Sequence, residues 1–153
     1  MILRRYRPSD IEDITALFFR SVREGTAGEY TEEQRCAWAP SLPDAARWDR
    51  EFRARCTVVA EEKGMIVGFG DIVTDGEDAG YLDRLYVHAE HLREGIGTAL
   101  CDFLESSVQG PITVRASLTA QPFFTRRGYT VLSAVTVRRR GIPLPCFLME
   151  KKR

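Results

Sequence analysis

The chain has 153 residues, 44% of them apolar and 29% charged, and its 22 Lys plus Arg are balanced by 22 Asp plus Glu. This describes one ordinary globular domain over residues 1–153 and excludes a disordered or fibrous chain. A net charge of zero lacks the basic excess that duplex nucleic acid calls for, and no stretch reaches the roughly 18 apolar residues of a membrane span.

Met1 to Ser9 is rich in Arg and is followed by Asp10, Glu12 and Asp13 without an apolar run. A secretory leader is therefore not expected, and the cytoplasm is the expected compartment. Cys36, Cys56, Cys101 and Cys146 are far apart, with no C-x-x-C and no His pair nearby. That spacing favours free thiols over a zinc site or disulfide framework, so no metal is expected.

Ile2 to Arg7 alternates apolar and basic side chains like a half-buried strand. Pro8-Ser9-Asp10 ends it and opens a helix, with Ser9 or Asp10 as N-cap. Ile11, Ile14, Leu17, Phe18 and Val22 give that helix one apolar face, and Gly25 and Gly28 close it. A second helix starts at Thr31-Glu32-Glu33 and runs to about Trp38. Pro40 and Pro43 break the chain before a third helix over residues 44–55. Residues 57–61 and 65–73 are strands joined at Lys63-Gly64, a hairpin pattern. Asp75-Gly76 and Gly80 mark a turn before a strand over residues 81–88. Gly95 to Val108 is helical, with Ile96, Leu100, Phe103 and Leu104 on one stripe and Cys101 packed inside. A strand over residues 111–116, a short helix over residues 119–127 capped by Gly128, and two strands around Arg140-Gly141 complete the chain. Pro143 and Pro145 predict that the last strand is an irregular edge, able to shape a cleft or a homodimer contact. The strand–helix–strand unit should set strands 81–88 and 111–116 side by side and parallel.

The chemistry is concentrated after strand 81–88, where a loop and Gly95-Ile96-Gly97 open a helix. First-turn amides of a helix lack internal partners and carry partial positive charge. Glycine lets a large anion approach them, so the segment is suited to a diphosphate, with Thr98 and Arg93 adding a hydroxyl and a cation. Leu100 stands where a full G-x-G-x-x-G needs its third Gly, and no G-K-[ST] is present, so neither a Rossmann fingerprint nor a P-loop is matched.

Leu85-Tyr86-Val87, a loop and Arg93-Glu94-Gly95-Ile96-Gly97-Thr98-Ala99-Leu100 resemble motif A of the GNAT superfamily of N-acetyltransferases. Residues 117–129, with Phe123-Phe124 followed by Gly128-Tyr129, resemble motif B. The element order is similar over essentially the whole chain, and residues 30–40 and 139–150 are similar to the bacterial YafP-like branch. The resemblance implies an α+β fold: a mixed, mostly antiparallel, splayed sheet with helices on both faces. It implies acetyl-CoA as cosubstrate, held where strands 81–88 and 111–116 part, its pantetheine arm continuing the sheet. Leu85, Tyr86 and Val87 would meet the thioester end, with the Val87 N–H polarising its carbonyl. Arg93, Glu94, Gly95, Ile96, Gly97 and Thr98 would hold the diphosphate. Ser117 and Phe124 would line the pantetheine, and Arg126 or Arg127 would reach the adenosine phosphate. Three positions depart from the family pattern: Leu92 replaces a Gln or Arg, Ser117 an Asn, and Phe124 the Tyr proposed to protonate the departing thiolate.

An amine acceptor must lose a proton before it attacks. Alternation places Tyr81, Asp83, Leu85 and Val87 on one face and Leu82, Arg84, Tyr86 and His88 on the other, unless a bulge near Leu85 shifts the phase. Asp83 is the first candidate base, Tyr81 the second and His88, by its unperturbed pKa, the third. Asp83 alternatively pairs with an arginine such as Arg84 or Arg115. Glu29, Tyr30, Arg35 and Trp38 are candidates for the acceptor wall, and Trp38 alternatively belongs to the core. The expected activity is transfer of an acetyl group to a primary amine of a small molecule or protein. A non-catalytic acyl-CoA-binding or sensor module is the alternative that Phe124 suggests. Neither nucleic acid nor membrane is an expected partner.

Overall fold

The computed structural model describes residues 1–75 and 78–153. Among them, seven strands form one sheet: β1 (Ile2–Arg5), β2 (Cys56–Glu62), β3 (Met65–Thr74), β4 (Gly80–Val87), β5 (Ile112–Ser117), β6 (Thr130–Arg139) and β7 (Ile142–Lys151). Their spatial order is β1-β2-β3-β4-β5-β7-β6. All neighbours are antiparallel except β4 and β5, which are parallel. The helices are α1 (Ile11–Gly25), α2 (Glu32–Trp38), α3 (Ala45–Ala54), α4 (Ile96–Ser106) and α5 (Gln121–Arg126). Gly76, part of the expected turn before β4, lies outside the described residues.

Local chemistry sets most of these boundaries. Thr31 caps α2 by accepting from the Gln34 N–H at 3.1 Å, and the Gln34 side chain accepts from the Thr31 N–H at 2.9 Å. This reciprocal capping box satisfies two amides at once. Asp44 caps α3 through the Arg47 N–H at 3.1 Å. Asp10 behaves differently from expectation. It lies in a short 3-10 turn, Pro8–Asp10, and offers α1 no side-chain cap. Its carboxylate instead accepts from the Arg7 N–H and from Arg4, tying β1 to the helix start.

Two apolar layers flank the sheet. On one face α4 and α5 pack Ile96, Leu100, Leu104 and Phe124 against Val58, Ile72, Leu82, Ile112, Val114 and Met149. Cys101 is fully buried there, as expected from its place in the helical pattern. On the other face α1 and α3 pack Ile14, Phe18, Val22, Trp48 and Phe52 against Val59 and Phe69. Close approach of α4 requires Gly70, because a Cβ there would lie 2.9 Å from both the Arg84 carbonyl oxygen and Leu104 Cδ1. No helix among the described residues is long and apolar enough to cross a membrane.

Two expectations about the sheet are corrected. The last strand is not an edge: β7 lies between β5 and β6, because β6 folds back around Arg140-Gly141 onto its outer side. β5 reaches only residues 146–151 of β7, however, so one side of residues 142–145 is open. Pro143 and Pro145 occupy that open stretch, where a missing N–H breaks no ladder. Their carbonyls accept from Gln34 Nε2 at 3.0 Å and from the Tyr30 hydroxyl at 2.6 Å. The second correction is the phase of β4. Asp71 pairs with Arg84 but Ile72 pairs with Leu82, so Asp83 is an extra, bulged residue. Leu82 and then Leu85 and Val87 pack toward α4. Arg84 and Tyr86 point the other way, onto the aromatic rings of Trp48 and Phe18. Strict alternation therefore fails at Asp83, two residues before Leu85, near which a bulge was the stated exception.

Candidate active site

β4 and β5 pair only at Gly80–Ile112, Tyr81–Thr113 and Leu82–Val114, although both strands continue beyond. The gap that opens there is the inner end of a cleft of about 1080 Å³. The backbone facing the gap can be read from the ladder. The His88 N–H donates to the Val67 carbonyl at 2.8 Å, so His88 and Tyr86 turn their polar groups to β3. Alternate residues of an antiparallel ladder point the opposite way, which turns those of Leu85 and Val87 into the gap. A tight pair of strands would have consumed these amides; the splay leaves them to a ligand.

One wall of the outer cleft is the start of α4. Arg93 and Gly95 adopt left-handed backbone, at φ 65° and φ 82°, and turn the chain abruptly into the helix. A Cβ at Gly95 would meet nothing within 4 Å, so its requirement is conformational rather than spatial. The first intrahelical bond here runs from the Ala99 N–H to the Gly95 carbonyl at 3.0 Å. The Ile96, Gly97 and Thr98 amides precede it and face outward at the positive end of the helix dipole. Ile96 buries its side chain, so only its backbone is offered. Gly97 packs beside the Phe123 ring. Glu94 contacts His91 Nδ1 at 3.1 Å. Among the described residues, Glu62, His91 and Glu94 bring one group of potential metal-ligand atoms within 4.8 Å of one another.

The opposite wall is the loop after β5 and α5. Ser117 Oγ accepts from the Ala120 N–H at 3.1 Å and lines the cleft. Phe124 is buried between Phe123 and Tyr129, at ring separations of 5.2 and 5.1 Å, and has no proton to give. Arg126 is exposed at the cleft rim. Arg127 is already engaged, with Asp102 at 2.8 Å and Glu105 at 3.1 Å.

The inner floor carries a charged network. Asp71, fully buried, accepts from Arg84 at 2.8 Å and from Arg55 at 3.0 Å. Burial pushes the Asp71 carboxyl up, and the two guanidinium groups oppose that push. Arg84 also pairs with Glu51 and lies 4.3 Å above the Trp48 ring. Arg55 binds Asp83 Oδ2 at 2.6 Å, and Arg84 reaches the same oxygen at 3.7 Å. Asp83 is thus paired, with Arg55 as its main partner and no contact to Arg115. Its Oδ1 makes no hydrogen bond among the described residues, and the side chain lines the cleft and is 31% exposed. Tyr81 lies on the same face. Burial first, and then the Asp83 charge, push its hydroxyl up, which makes it a proton holder rather than a base.

The remaining candidates separate. His88 does not line the cleft. Its Nδ1 accepts from the Glu90 N–H at 3.1 Å and caps a short 3-10 turn, and its ring packs beside His91 at 5.6 Å. Tyr30 is buried, and its hydroxyl is consumed by the Leu118 N–H at 2.9 Å and the Pro145 carbonyl. Trp38 is half-buried, stacks edge-on against Tyr30 at 5.4 Å and lines the cleft. The fully packed tryptophan is Trp48 instead. Glu29 accepts from the Thr119 hydroxyl at 2.6 Å, linking the turn between α1 and α2 to the motif-B loop. Sequence reasoning missed Arg55, Asp71 and Glu51. Their local signals are those of ordinary surface charges, and only the sheet brings them under Asp83.

The family model for the acetyltransferase (GNAT) domain matches residues 26–152. The chain is 33% identical over 150 residues to the uncharacterized N-acetyltransferase YafP of Escherichia coli strain K12, covering 98% of this chain and 95% of that protein. A solved GCN5-related N-acetyltransferase from Rhodopseudomonas palustris superposes with a TM-score of 0.92 at 33% identity, covering 99% of this chain and 95% of the other. The PaiA N-acetyltransferase of Thermoplasma acidophilum, solved with coenzyme A, shares the fold with a TM-score of 0.80 at 18% identity, over 99% of this chain and 98% of that one. The splayed sheet, the amide-lined helix start and these likenesses agree: the chain belongs to the GNAT family of N-acetyltransferases, in its YafP-like branch.

Proposed function

We propose that the protein moves the acetyl group of acetyl-CoA to a primary amine by direct attack in a ternary complex. The observation that carries the reading is the pair of inward amides, Leu85 and Val87, in the gap beside the open start of α4. The PaiA relative was solved with coenzyme A, and a Salmonella typhimurium acetyltransferase of the same fold with acetyl-CoA. The residues present fit such a molecule. An extended amide-bearing arm can pair with β4 where β5 has left it, as an added strand does. A diphosphate meets the outward amides of Ile96, Gly97 and Thr98, with Arg93 beside them. Ser117 and Phe124 bound the arm from the other side. Arg126 is the freer cation for a terminal phosphate, since Arg127 is held by Asp102 and Glu105.

For the transfer, the Val87 N–H is the donor aimed at the thioester carbonyl, where negative charge grows as the amine adds. Asp83 Oδ1 receives the ammonium form of the acceptor and takes its proton, directly or through one water. Arg55 fixes the carboxylate orientation through Oδ2. The amine nitrogen bonds to the acetyl carbon and the carbon–sulfur bond breaks, leaving a thiolate. Phe124 cannot protonate it, so the proton comes from the Tyr81 hydroxyl or from cleft water.

The test is thiol release from acetyl-CoA by purified protein over a panel of primary amines, with mass-spectrometric detection of the acetylated amine. Amine-dependent release supports the reading. Binding of acetyl-CoA with no transfer to any amine contradicts it and favours a non-catalytic binder.

A further inference from the structure

We infer that the acceptor is a small zwitterion, an amine that also carries an anionic group of the carboxylate type, read by Arg115 and Arg139. This rests on the acetyltransferase reading and adds the substrate class. The sheet face away from α4 is only partly covered. α1 and α3 pack over the β2–β4 half, while the β5–β7–β6 half lines the cleft with Arg115, Leu144, Cys146, Val137 and Arg139. Register places these residues on one face: Ser117 pairs with Cys146, Cys146 with Val135, and residues two or four apart share a face.

The cations of this inner cleft divide into two groups. Arg47, Arg55 and Arg84 are each neutralised by carboxylates, Arg47 by Glu51 at 3.3 Å and the others by the Asp71 network. Neither Arg115 nor Arg139 pairs with a carboxylate among the described residues. Yet both charges act on the same thiol, that of Cys146, and Arg115 acts on Tyr81 as well. Two cations without a carboxylate partner thus line one patch of the cleft, where an anion would gain charge-assisted hydrogen bonds.

The acid that the amine needs lies opposite. β4 and β5 run parallel with Tyr81 against Thr113 and Leu82 against Val114. Asp83 and Arg115 each follow the last paired residue of their strand, and both line the cleft where the strands part. No ion pair forms between them; Asp83 is taken by Arg55 and Arg84. An Asp83 oxygen without a hydrogen bond and an Arg115 guanidinium without a carboxylate partner, among the described residues, therefore line the same cleft. An ammonium seated on Asp83 and a carboxylate seated on Arg115 complete both, with Arg139 as the outer contact. A plain amine would complete only one.

The experiment compares acceptors and variants with acetyl-CoA. The acceptors are the protein α-amino acids, their amides, the corresponding decarboxylated amines, and aminoalkylphosphonates. At least one amino acid is expected to be acetylated, and its amide and decarboxylated amine should fall at least about tenfold in kcat/KM, the loss expected for one charge-assisted hydrogen bond. Arg115→Gln and Arg139→Gln should raise the amino acid KM about tenfold or more with little change in kcat, and should leave the kinetics of the acceptors that lack a carboxylate and the acetyl-CoA affinity unaltered. Preference for phosphonates over carboxylates would keep the anion site but move its ligand to the phosphate class, overturning the carboxylate assignment. Acetylation of amides and amines as well as acids, or variants that slow every acceptor equally, would overturn the proposal. So would acetyl-CoA binding with no anionic acceptor used. Absence of acetyl-CoA binding in calorimetry would instead strike the acetyltransferase reading itself.

Discussion

Arg55, the first residue past α3, donates to Asp83 Oδ2 at 2.6 Å and to Asp71 Oδ2 at 3.0 Å. One cation thus orients the carboxylate that faces the cleft and neutralises the one beneath it. Asp83→Asn keeps the shape and removes the proton acceptor. It should lower kcat/KM by about 10²–10⁴-fold, the usual worth of a general base, with acetyl-CoA affinity unchanged. Steady-state kinetics beside calorimetry separates the two. Equal loss of acetyl-CoA binding would contradict the assignment.

Arg55→Gln should act on both carboxylates. Asp71 keeps Arg84 but loses a charge-assisted hydrogen bond in a buried setting, so the fold should weaken by about 1.5–3 kcal/mol. Activity should fall as well, because Asp83 loses its fixed orientation. Urea unfolding and kinetics on one preparation check this pairing of effects; a variant altered in neither would contradict it.

Legibility followed range of interaction. Helix starts were readable where the cap is local, as at Thr31 with Gln34 or Asp44 with Arg47. Hairpins were readable where left-handed residues sit together, as at Lys63-Gly64, with φ 51° and 79°, and at Arg140-Gly141, with φ 53° and 77°. The sharp turn into α4, where we propose that the diphosphate binds, was readable because Gly-x-Gly before an apolar helix stripe is a local pattern. A bulge near Leu85 was allowed for, but its place at Asp83 was not readable, since that depends on how β3 pairs with β4. The roles of the two tryptophans could not be separated by periodicity, because packing of α3 on the sheet decides that Trp48 is the buried one. The edge reading of β7 failed because proline reports only on its own stretch of strand, and β5 ends before reaching Pro145. His88 had the right chemistry, yet the backbone turn that follows it takes its free nitrogen.

Tyr30 joins three parts of the chain through one oxygen. Tyr30→Phe leaves the Leu118 N–H and the Pro145 carbonyl without that partner, and should cost about 1–3 kcal/mol of stability. Chemical denaturation measures it. Since Tyr30 presents no free hydroxyl to the cleft, kcat should change little; a large fall in kcat without destabilisation would instead give Tyr30 a part in the chemistry.

Glu105 should govern the acid side of the stability profile. Burial pushes its carboxyl up, but hydrogen bonds from Lys151, Tyr129 and Arg127 outweigh that and hold it below the usual carboxylate range. Asp10 is held low in the same way by Arg4 and the Arg7 amide. A folded-state value below the unfolded one means that the native state binds fewer protons. Stability from both groups is therefore complete above the ordinary carboxylate range and is lost as pH falls through the lowered values. Melting temperature should decline steeply on acidification below about pH 4.5, near the unfolded carboxylate value. Glu105→Ala should cost about 3–5 kcal/mol near neutral pH, as when one side of a buried ion pair is removed, and should flatten that decline. An unchanged acid slope would contradict this role.

The central claim is that the outward amides at the start of α4 grip the diphosphate of acetyl-CoA. Isothermal titration of acetyl-CoA into the wild-type protein and into folded Gly97→Asp tests it most directly. The account predicts one site per chain in the wild type and no measurable binding in the variant, where a carboxylate stands among those amides. Absence of heat in the wild type, or equal affinity in both proteins, would contradict it.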